Sequence, residues 1–532
     1  MKKSVLPYVA TGYFSTAVTD YIEGNDKLKQ FYEYSPQPDS FLQIINRRKE
    51  FPLHRETLHS VLSKQYQPFL NNNEPDKVST NINRLKDSNT FTVVTAHQPN
   101  LFLGPLYLVY KIISTINLSR KLSEKFPDFH FVPVYWMGSE DHDKEELNHV
   151  QLFSKKITWH TDQEGAFGRM KTESLSGLIE EIKLVLGTSD DAIRCVKLLE
   201  DFYLKEQTIA AATKKILYHF FAGDGLVIVD GDDAALKRLF VPVIKKELLE
   251  QFSLPIVNES SEAFSENYQS QIMPREINLF YLDDGIRKRI IKEGELWKVL
   301  NTTLTFSKDE ILKLLETHPQ KFSPNVVLRP VYQELVLPNI VFIGGGAEVT
   351  YWMQLKSLFD TAGVAYPMLL LRNSVLWIDS GNVSKMKKLN LSGKSIFESS
   401  DKLVNQYLAE QTGDLFSLEK EKLELKDLMN SIMHRISQID AGLKGSVEAE
   451  KVKMQKSLES LEDKLRKAAK KKEEVAIQQL QTLKEKLFPA NGLQERYENF
   501  LPYYMKYGEM FLTELKLHLD VMELQFTILQ EE

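Results

Sequence analysis

Phe91-Thr-Val-Val-Thr-Ala-His-Gln-Pro-Asn-Leu-Phe-Leu-Gly-Pro105, running into an apolar stretch from Leu106, is the segment on which the fold turns. Residues 91–95 read as a buried strand, a polar loop containing glycine ends it, and Pro105 suits the first position of the helix that follows. The same unit recurs along the chain. Short apolar runs that end in small or polar residues and give way to a helical period predict further strands at 129–137, 226–230, 341–343 and 366–371. Strands alternating with helices predict an α/β fold with a parallel sheet. Between the third and fourth strands, Ile277-Asn-Leu-Phe-Tyr-Leu-Asp-Asp-Gly-Ile-Arg287 places Asp-Asp-Gly between apolar runs, a hairpin signal that predicts a small inserted β subdomain.

Upstream, the first 90 residues are mixed and polar, with helix-like spacing over 41–70 and an Asn71-Asn-Asn-Glu-Pro-Asp76 linker, and predict a helical lead-in. Beyond about Ser400, proline and aromatics give way to Glu, Lys, Leu and Gln. Leu425, Met429, Ile432, Ile436, Ile439 and Leu443 keep a 4-3-4-3-4 spacing, the seam of a coiled coil. After Gly442-Leu-Lys-Gly445 the heptad restarts at Met454, Leu458, Leu461, Leu465 and Ala468. It is interrupted at Lys472 and resumes out of phase at Ala476, Leu480, Leu483 and Leu487. An antiparallel helical hairpin is the expected form, two amphipathic helices lying on the core being the alternative. The expected domains are a lead-in over 1–90, a core over 91–395 with insertions at about 151–215 and 255–330, a coiled-coil hairpin over 400–488, and a C-terminal helical segment over 489–532 that packs back on the core.

With 532 residues, 42% of them hydrophobic, the chain has room for about two to four structural units. Lysine and arginine number 67 against 73 aspartate and glutamate, and the formal charge of -6 is too mild and evenly mixed for a nucleic-acid-binding surface. The Lys- and Glu-rich run 464–474 reads as a solvated face. A single cysteine excludes a disulfide framework and a multi-cysteine metal site, and suits a reducing compartment, so a cytoplasmic protein is expected. That residue, Cys195, lies in a helical pattern with no histidine nearby and reads as a packed thiol. The residues before Asp20 hold too few apolar positions for a signal-peptide core, and no run reaches the roughly 18 apolar residues of a transmembrane helix, so no membrane partner is expected.

Ligands of open α/β sheets bind outside the carboxyl ends of the strands, which makes the residues there the candidates. After the first strand, His97 reads as a general base or a hydrogen-bond donor to phosphate, with a packed or capping histidine as the plainer alternative; the helix start beyond Gly104 reads as an anion site. The second strand ends in Gly138-Ser-Glu-Asp-His-Asp143, three carboxylates and an imidazole within four positions, and such mutual repulsion favours a site. The cluster suits deprotonating an amine nucleophile, or holding an ammonium group or Mg²⁺, while helix capping accounts for one of Ser139, Asp141 or Asp143. Neither a zincin helix motif nor an Asp-x-Asp loop is present, so no tightly bound metal is expected. At the fourth strand, Gly344, Gly345 and Gly346 would let a ligand approach the backbone, and Glu348 is either a ribose or ammonium contact or a partner of the helix dipole. The spacing matches neither Gly-x-Gly-x-x-Gly nor the Walker A motif. Lys111, Arg329 and Arg372 are the cations nearest in sequence to these strand ends and suit a carboxylate or phosphate. Asp232 and Asp233 read as caps, and Gln494, Arg496 and Tyr507, in an aromatic tract, are candidates for a second ligand site.

Several blocks together carry a family resemblance. Val94-Thr-Ala-His-Gln-Pro-Asn-Leu-Phe-Leu-Gly-Pro-Leu-Tyr107, Val132-Pro-Val-Tyr-Trp-Met-Gly-Ser-Glu-Asp-His-Asp-Lys-Glu-Glu-Leu-Asn-His-Val150, Gly165-Ala-Phe-Gly-Arg-Met170, Leu328-Arg-Pro-Val-Tyr-Gln-Glu334, Gly344-Gly-Gly-Ala-Glu-Val-Thr-Tyr-Trp-Met-Gln-Leu355 and Leu493-Gln-Glu-Arg496 resemble the bacillithiol-biosynthesis cysteine ligase family, BshC, in order over nearly the whole chain. The resemblance implies a Rossmann-like core related to nucleotidyltransferases, inserted connecting subdomains, and a coiled coil that mediates homodimerisation. It also implies a C–N bond-forming ligase that joins the carboxyl of L-cysteine to the glucosamine amine of glucosaminyl-malate, giving bacillithiol. Amide formation from a free carboxylate needs activation, most simply by ATP or another nucleotide, with Mg²⁺ as a companion ion, and a base to take the amine's proton. On this reading Asp141, His142 and Asp143 handle the amine, while His97, Asn100 and the amides of Gly104 and Gly344 to Gly346 hold phosphate or carboxylate. Arg329 and Arg372 bind malate or nucleotide oxygens, and Ser139, Glu140, Glu348 and Trp352 complete the binding set. The chain departs from the family's usual Gly-Gln-Gln at Ala96-His97-Gln98, and from its usual Gly-Pro-Gly-Glu at the glycine turn. The alternatives are a nucleotidyltransferase-like enzyme that activates another acid, and a non-catalytic coiled-coil dimer scaffold.

Overall fold

The computed structural model describes residues 1–69, 76–413 and 417–532. Leu70 and positions 71–75 of the expected linker lie outside the described residues. Asp76, at its end, caps the helix Lys77–Arg84 by accepting from the Ser79 N–H at 2.6 Å.

All five expected strands form: β1 (Thr90–His97), β2 (His130–Met137), β3 (Val227–Asp230), β4 (Asn339–Gly344) and β5 (Met368–Leu371). They make one parallel sheet in the order β5-β4-β1-β2-β3. Both faces are covered, which is why these strands read as apolar runs rather than alternating patterns. Their register lines up the carboxyl ends: His97 pairs with Met137, Met137 with Asp230, and Gly344 with Leu371. The chain builds β2 and β3 on one side of β1, then crosses to build β4 and β5 on the other. The β1–β4 junction is therefore the topological switch point, where a ligand crevice opens in a doubly wound sheet. From the lead-in, helix Ser40–Arg48 plants Phe41, Ile44 and Ile45 in one buried cluster with Phe91, Val93, Val341, Met368 and Leu370. The lead-in is not wholly helical, since it opens with the strand Lys2–Leu6, whose polar residues carried no strand signal.

Two insertions follow β2 and β3. The first begins with a hairpin, His149–Leu152 against Lys155–Thr158, and continues in helices up to Ile209–Phe221. The second is an antiparallel sheet in which Leu279–Asp283 pairs with both Ile286–Glu293 and Phe322–Pro324. Its hairpin turn is the predicted one: Asp283 pairs with Ile286, leaving Asp284-Gly285 as a two-residue loop with Gly285 at φ +69°.

The chain divides into two compact units. One comprises Val5–Leu376 and Gln494–Thr527 and holds the parallel sheet and both insertions; the other comprises Met1–Ser4, Trp377–Leu493 and Ile528–Glu532. Residues 377–395, read from composition as core, thus belong with the coiled coil. In that second unit, helices Glu419–Ile439 and Lys444–Lys472 run antiparallel across the turn Ala441–Leu443, with Lys422 bonded to Glu462 at 2.6 Å. The out-of-phase segment leaves the hairpin. Helix Glu474–Leu487 starts anew after a break at Glu473 and buries Leu480, Leu483 and Leu487 alongside Leu403, Val404 and Leu408 of helix Ser400–Thr412. The hairpin therefore spans 419–472 rather than all of 400–488. Along its seam Met429 is buried, whereas Ile439, Leu443, Met454, Leu461 and Leu465 are 41–85% exposed in the single chain. No described helix is long and apolar enough to cross a membrane.

Candidate active site

A cavity of about 530 Å³ opens at the switch point, within the sheet-bearing unit. Ala96 and His97 from β1 and Gln98 just after it border it, with Glu140 and Asp141 after β2 and the Gly345–Glu348 turn after β4. Arg287, Arg329, Arg372 and Arg496 complete the wall.

The turn after β4 begins helix Gly346–Met353 with a capping interaction in which Glu348 Oε2 accepts from the Gly345 N–H at 2.8 Å. A Cβ on Gly344 would stand 2.9 Å from the Phe342 ring and 3.0 Å from Glu348 Cβ, so this turn needs glycine for space. Lys111 is buried and donates to the same Glu348 oxygen at 2.6 Å and to Ala96 O at 2.6 Å. Burial pushes the Glu348 carboxyl up, but Lys111 and the neighbouring donors outweigh it and hold it below the usual carboxylate range. Lys111 is therefore committed to Glu348 rather than free for a ligand, and Glu348 serves the helix start. In the first turn, the N–H groups of Gly346 and Ala347 have no intrahelical acceptor and border the cavity. Arg329 bonds only Gln333 Oε1 at 2.9 Å and Tyr351 OH at 3.4 Å, and neither it nor Arg496 forms an ion pair among the described residues. Arg372, by contrast, is buried and spends Nη2 on Glu495 at 2.7 Å and Nη1 on Asn373 O and Ser374 Oγ at 2.9 and 3.0 Å. Its charge is compensated, whereas Arg329 and Arg496 line the cavity with theirs unpaired by any carboxylate among the described residues.

The Ser-Glu-Asp-His-Asp run fans out at the end of β2. Ser139 Oγ donates to Asp230, facing away from the main cavity, and its carbonyl accepts from the Gly168 N–H at 2.9 Å. Glu140 is bonded to Lys237, a buried lysine that also donates to Phe322 O at 2.6 Å. Burial pushes the Glu140 carboxyl up to about 7 although Lys237 pulls it down. Asp141 accepts from Gln98 Nε2 at 2.9 Å and from the His142 N–H at 2.7 Å, and lies 3.5 Å from Arg287 Nη1. Burial raises its pKa, but Arg287 and these donors more than offset it and leave Asp141 below the usual range. Arg287 Nη1 also donates to His142 Nδ1 at 2.6 Å. A guanidinium only donates, so the His142 proton sits on Nε2, and burial with the Arg287 charge lowers the ring's pKa. Asp143 stands at the start of the short helix Lys144–Leu147 without a side-chain capping bond, and faces a neighbouring groove rather than the main cavity. Ligand atoms of Asp141, His142 and Asp143 lie within 4.8 Å of one another, but Arg287 already supplies the positive charge there.

Other expectations resolve differently. His97 Nδ1 lies 3.3 Å from Gln98 O, which only accepts, so Nδ1 carries the proton and Nε2 accepts from Tyr107 OH at 3.0 Å. Burial and the Lys111 charge push His97 down to about 4, which makes it a neutral and weak base rather than a phosphate-binding cation. Asn100 is buried off the cavity, and Gly104, at φ +53°, gives its N–H to Leu101 O at 2.9 Å, so it offers no anion site. A Cβ there would meet Asn100 Cβ at 2.7 Å. Trp352 is fully buried, with its ring 4.1 Å from that of Phe342, and packs the core rather than a ligand. The second site is not assembled: Arg496 opens on the main cavity, Gln494 is buried, and Tyr507 lies elsewhere on helix Leu501–Tyr507. Asp233 caps helix Ala234–Glu250, as read, but Asp232 instead holds Arg169 through both oxygens at 2.6 and 2.7 Å. Cys195 is buried, and burial pushes its thiol up to about 11, an inert packed group. Arg287 and Lys237 were not singled out by the sequence, because each meets its partner across 145 and 97 residues.

Residues 1–373 match the family description "Bacillithiol biosynthesis BshC, N-terminal Rossmann-like domain", and residues 375–531 match "Bacillithiol biosynthesis BshC, C-terminal coiled-coil domain". The chain is 43% identical to a relative from Flavobacterium johnsoniae over 99% of its own length and 100% of the relative's. Identity is 40% to one from Flavobacterium psychrophilum, covering 100% of both chains, and 38% to one from Christiangramia forsetii, covering 99% of both. All three are named BshC and described as candidate cysteine ligases. Matched in both halves and over its whole length by such relatives, the chain belongs to the BshC family of bacillithiol biosynthesis.

Proposed function

We propose that the protein is a C–N ligase that joins the carboxyl of L-cysteine to the glucosamine amine of glucosaminyl-malate, forming bacillithiol. The observation that carries this reading is the polarity of the switch-point cavity. One wall offers anion binding through the Gly346 and Ala347 N–H groups, Arg329 and Arg496; the other presents the carboxylates of Glu140 and Asp141. An amide-forming ligase must hold an anionic leaving group and a cationic amine against one carbonyl carbon, and two such walls suit those charges. Phosphate oxygens fit the cationic wall, and a nucleoside triphosphate with Mg²⁺ would supply the group that activates the carboxyl. Asp141, ionised and fixed by Gln98 and Arg287, suits an ammonium group, while His142 borders the neighbouring groove with Asp143. The cysteine-ligase descriptions carried by the relatives support the choice of substrates.

We further infer a homodimer built through the helical hairpin, supported by the exposed apolar residues Met454, Leu461 and Leu465, and a cytoplasmic setting, supported by the single cysteine. The test is to incubate the purified protein with cysteine, glucosaminyl-malate and ATP and to analyse thiols and nucleotides by mass spectrometry. A product with the mass of both substrates less one water, together with nucleotide consumption, is expected. Consumption of a different acid, or no amide at all, would overturn the assignment.

A further inference from the structure

We propose that Glu140 is the general base that deprotonates the attacking amine, and that Lys237 is its positioning residue. This rests on the ligase reading above. A base at the cavity needs a free lone pair. His142, which borders the neighbouring groove with Asp143, has none to give in any case, because Arg287 donates to Nδ1 at 2.6 Å and Nε2 carries the proton. His97 has none either, since Nδ1–H faces Gln98 O at 3.3 Å and Nε2 accepts from Tyr107 at 3.0 Å. Asp141 accepts on both oxygens, from Gln98 at 2.9 Å and from the His142 N–H at 2.7 Å, and a carboxylate so stabilised is a poor proton acceptor. Asp143 does not border the main cavity. Glu140 does, with one oxygen held by Lys237 and no partner on the other among the described residues.

Lys237 is held from two directions, by Glu140 and by Phe322 O at 2.6 Å on the inserted sheet, so it fixes where the carboxylate points. The other charged or titratable groups that face Glu140 are Asp232 and Arg169, Arg287, and Tyr332. Burial together with this set leaves Glu140 near neutrality, where a general base combines availability with driving force. In the step itself, the amine nitrogen forms the C–N bond to the activated acyl carbon. The bond from that carbon to the phosphate or nucleotide oxygen breaks, its electron pair leaving on that oxygen. Glu140 accepts the proton the nitrogen sheds and later returns it to water.

The test is the pH profile of kcat for amide formation in the full-length protein, for wild type, Glu140→Gln, Glu140→Asp and Lys237→Met. Glu140→Gln is expected to lose about 100-fold or more and to lose the acid limb of the profile. Glu140→Asp keeps a carboxylate, so it should fall between the two and retain the limb. Lys237→Met removes the charge that pulls Glu140 down, so its limb should move to higher pH and activity should recover as pH rises, which a merely structural lysine would not produce. Circular dichroism checks folding; should Lys237→Met not fold, the Glu140 pair decides. Glu140→Gln within about three-fold of wild type, or with an unchanged acid limb, overturns the proposal while leaving the ligase reading intact. A wild type that forms no amide overturns both.

Discussion

His97 should make the sheet-bearing unit acid-sensitive in a window that can be calculated. Burial and the Lys111 ammonium hold its pKa down to about 4, against 6.5 for a free imidazole. As pH falls below 6.5 the unfolded chain binds a proton that the folded chain refuses until about 4, so stability present at neutral pH is lost across that interval. The loss attributable to this one group is about 2 kcal/mol between pH 7 and pH 5, and about 3 kcal/mol once pH is well below 4. Carboxylates titrate in the same range, so the measurement is a difference between wild type and His97→Gln. Hydrogen exchange of the Thr92–Thr95 amides in urea reports the unit that contains β1 without interference from the coiled coil. His97→Gln should start lower at pH 7, having lost the bond from Tyr107, yet lose about 2 kcal/mol less than wild type on going to pH 5. Equal losses in the two proteins would mean that His97 is not a neutral, buried imidazole at pH 7.

Arg329→Ala should lower kcat/KM by about 10- to 100-fold in steady-state assays while leaving the unfolding midpoint unchanged, because Arg329 faces the cavity without an ion pair. Gly168→Ala should destabilise the sheet-bearing unit by about 1–3 kcal/mol in chemical denaturation and reduce turnover, since its Cβ would fall 2.6 Å from Ser139 Cβ and O, beside Glu140. Replacing both Leu461 and Leu465 by Glu should halve the mass measured by light scattering, as charges on the exposed hairpin seam would prevent pairing with a second copy.

Local signals carried most of the architecture. Each core strand is buried on both faces and so announces itself as an apolar run, and the Asp284-Gly285 hairpin has the residues its positive φ requires. The phase slip at Lys472 marked the true end of the coiled-coil hairpin, but its consequence, a helix packed elsewhere, depended on partners around Leu403 that no heptad reveals. The candidate site was legible as a place and less so as a set of roles. Charge crowding at Glu140 to Asp143 pointed to a strand end that borders the switch-point cavity through Glu140 and Asp141. Which member keeps a usable lone pair was decided by Arg287 and Lys237, one on the inserted sheet and one on the helix after β3. Trp352 and Gly104 were misread for a related reason: a loop or helix-start position suggests access, yet stacking on Phe342 and a tight turn over Asn100 close them off.

Whether the switch-point cavity activates the cysteine carboxyl and passes it to a sugar amine can be followed with cysteine carrying ¹⁸O in its carboxylate. Incubated with the protein, ATP and glucosaminyl-malate, it should yield the amide and deliver one labelled oxygen to phosphate or to the nucleotide for each amide formed. Amide without label transfer, or labelled cysteine left unchanged while the wild-type protein is folded, would rule out carboxyl activation in this cavity.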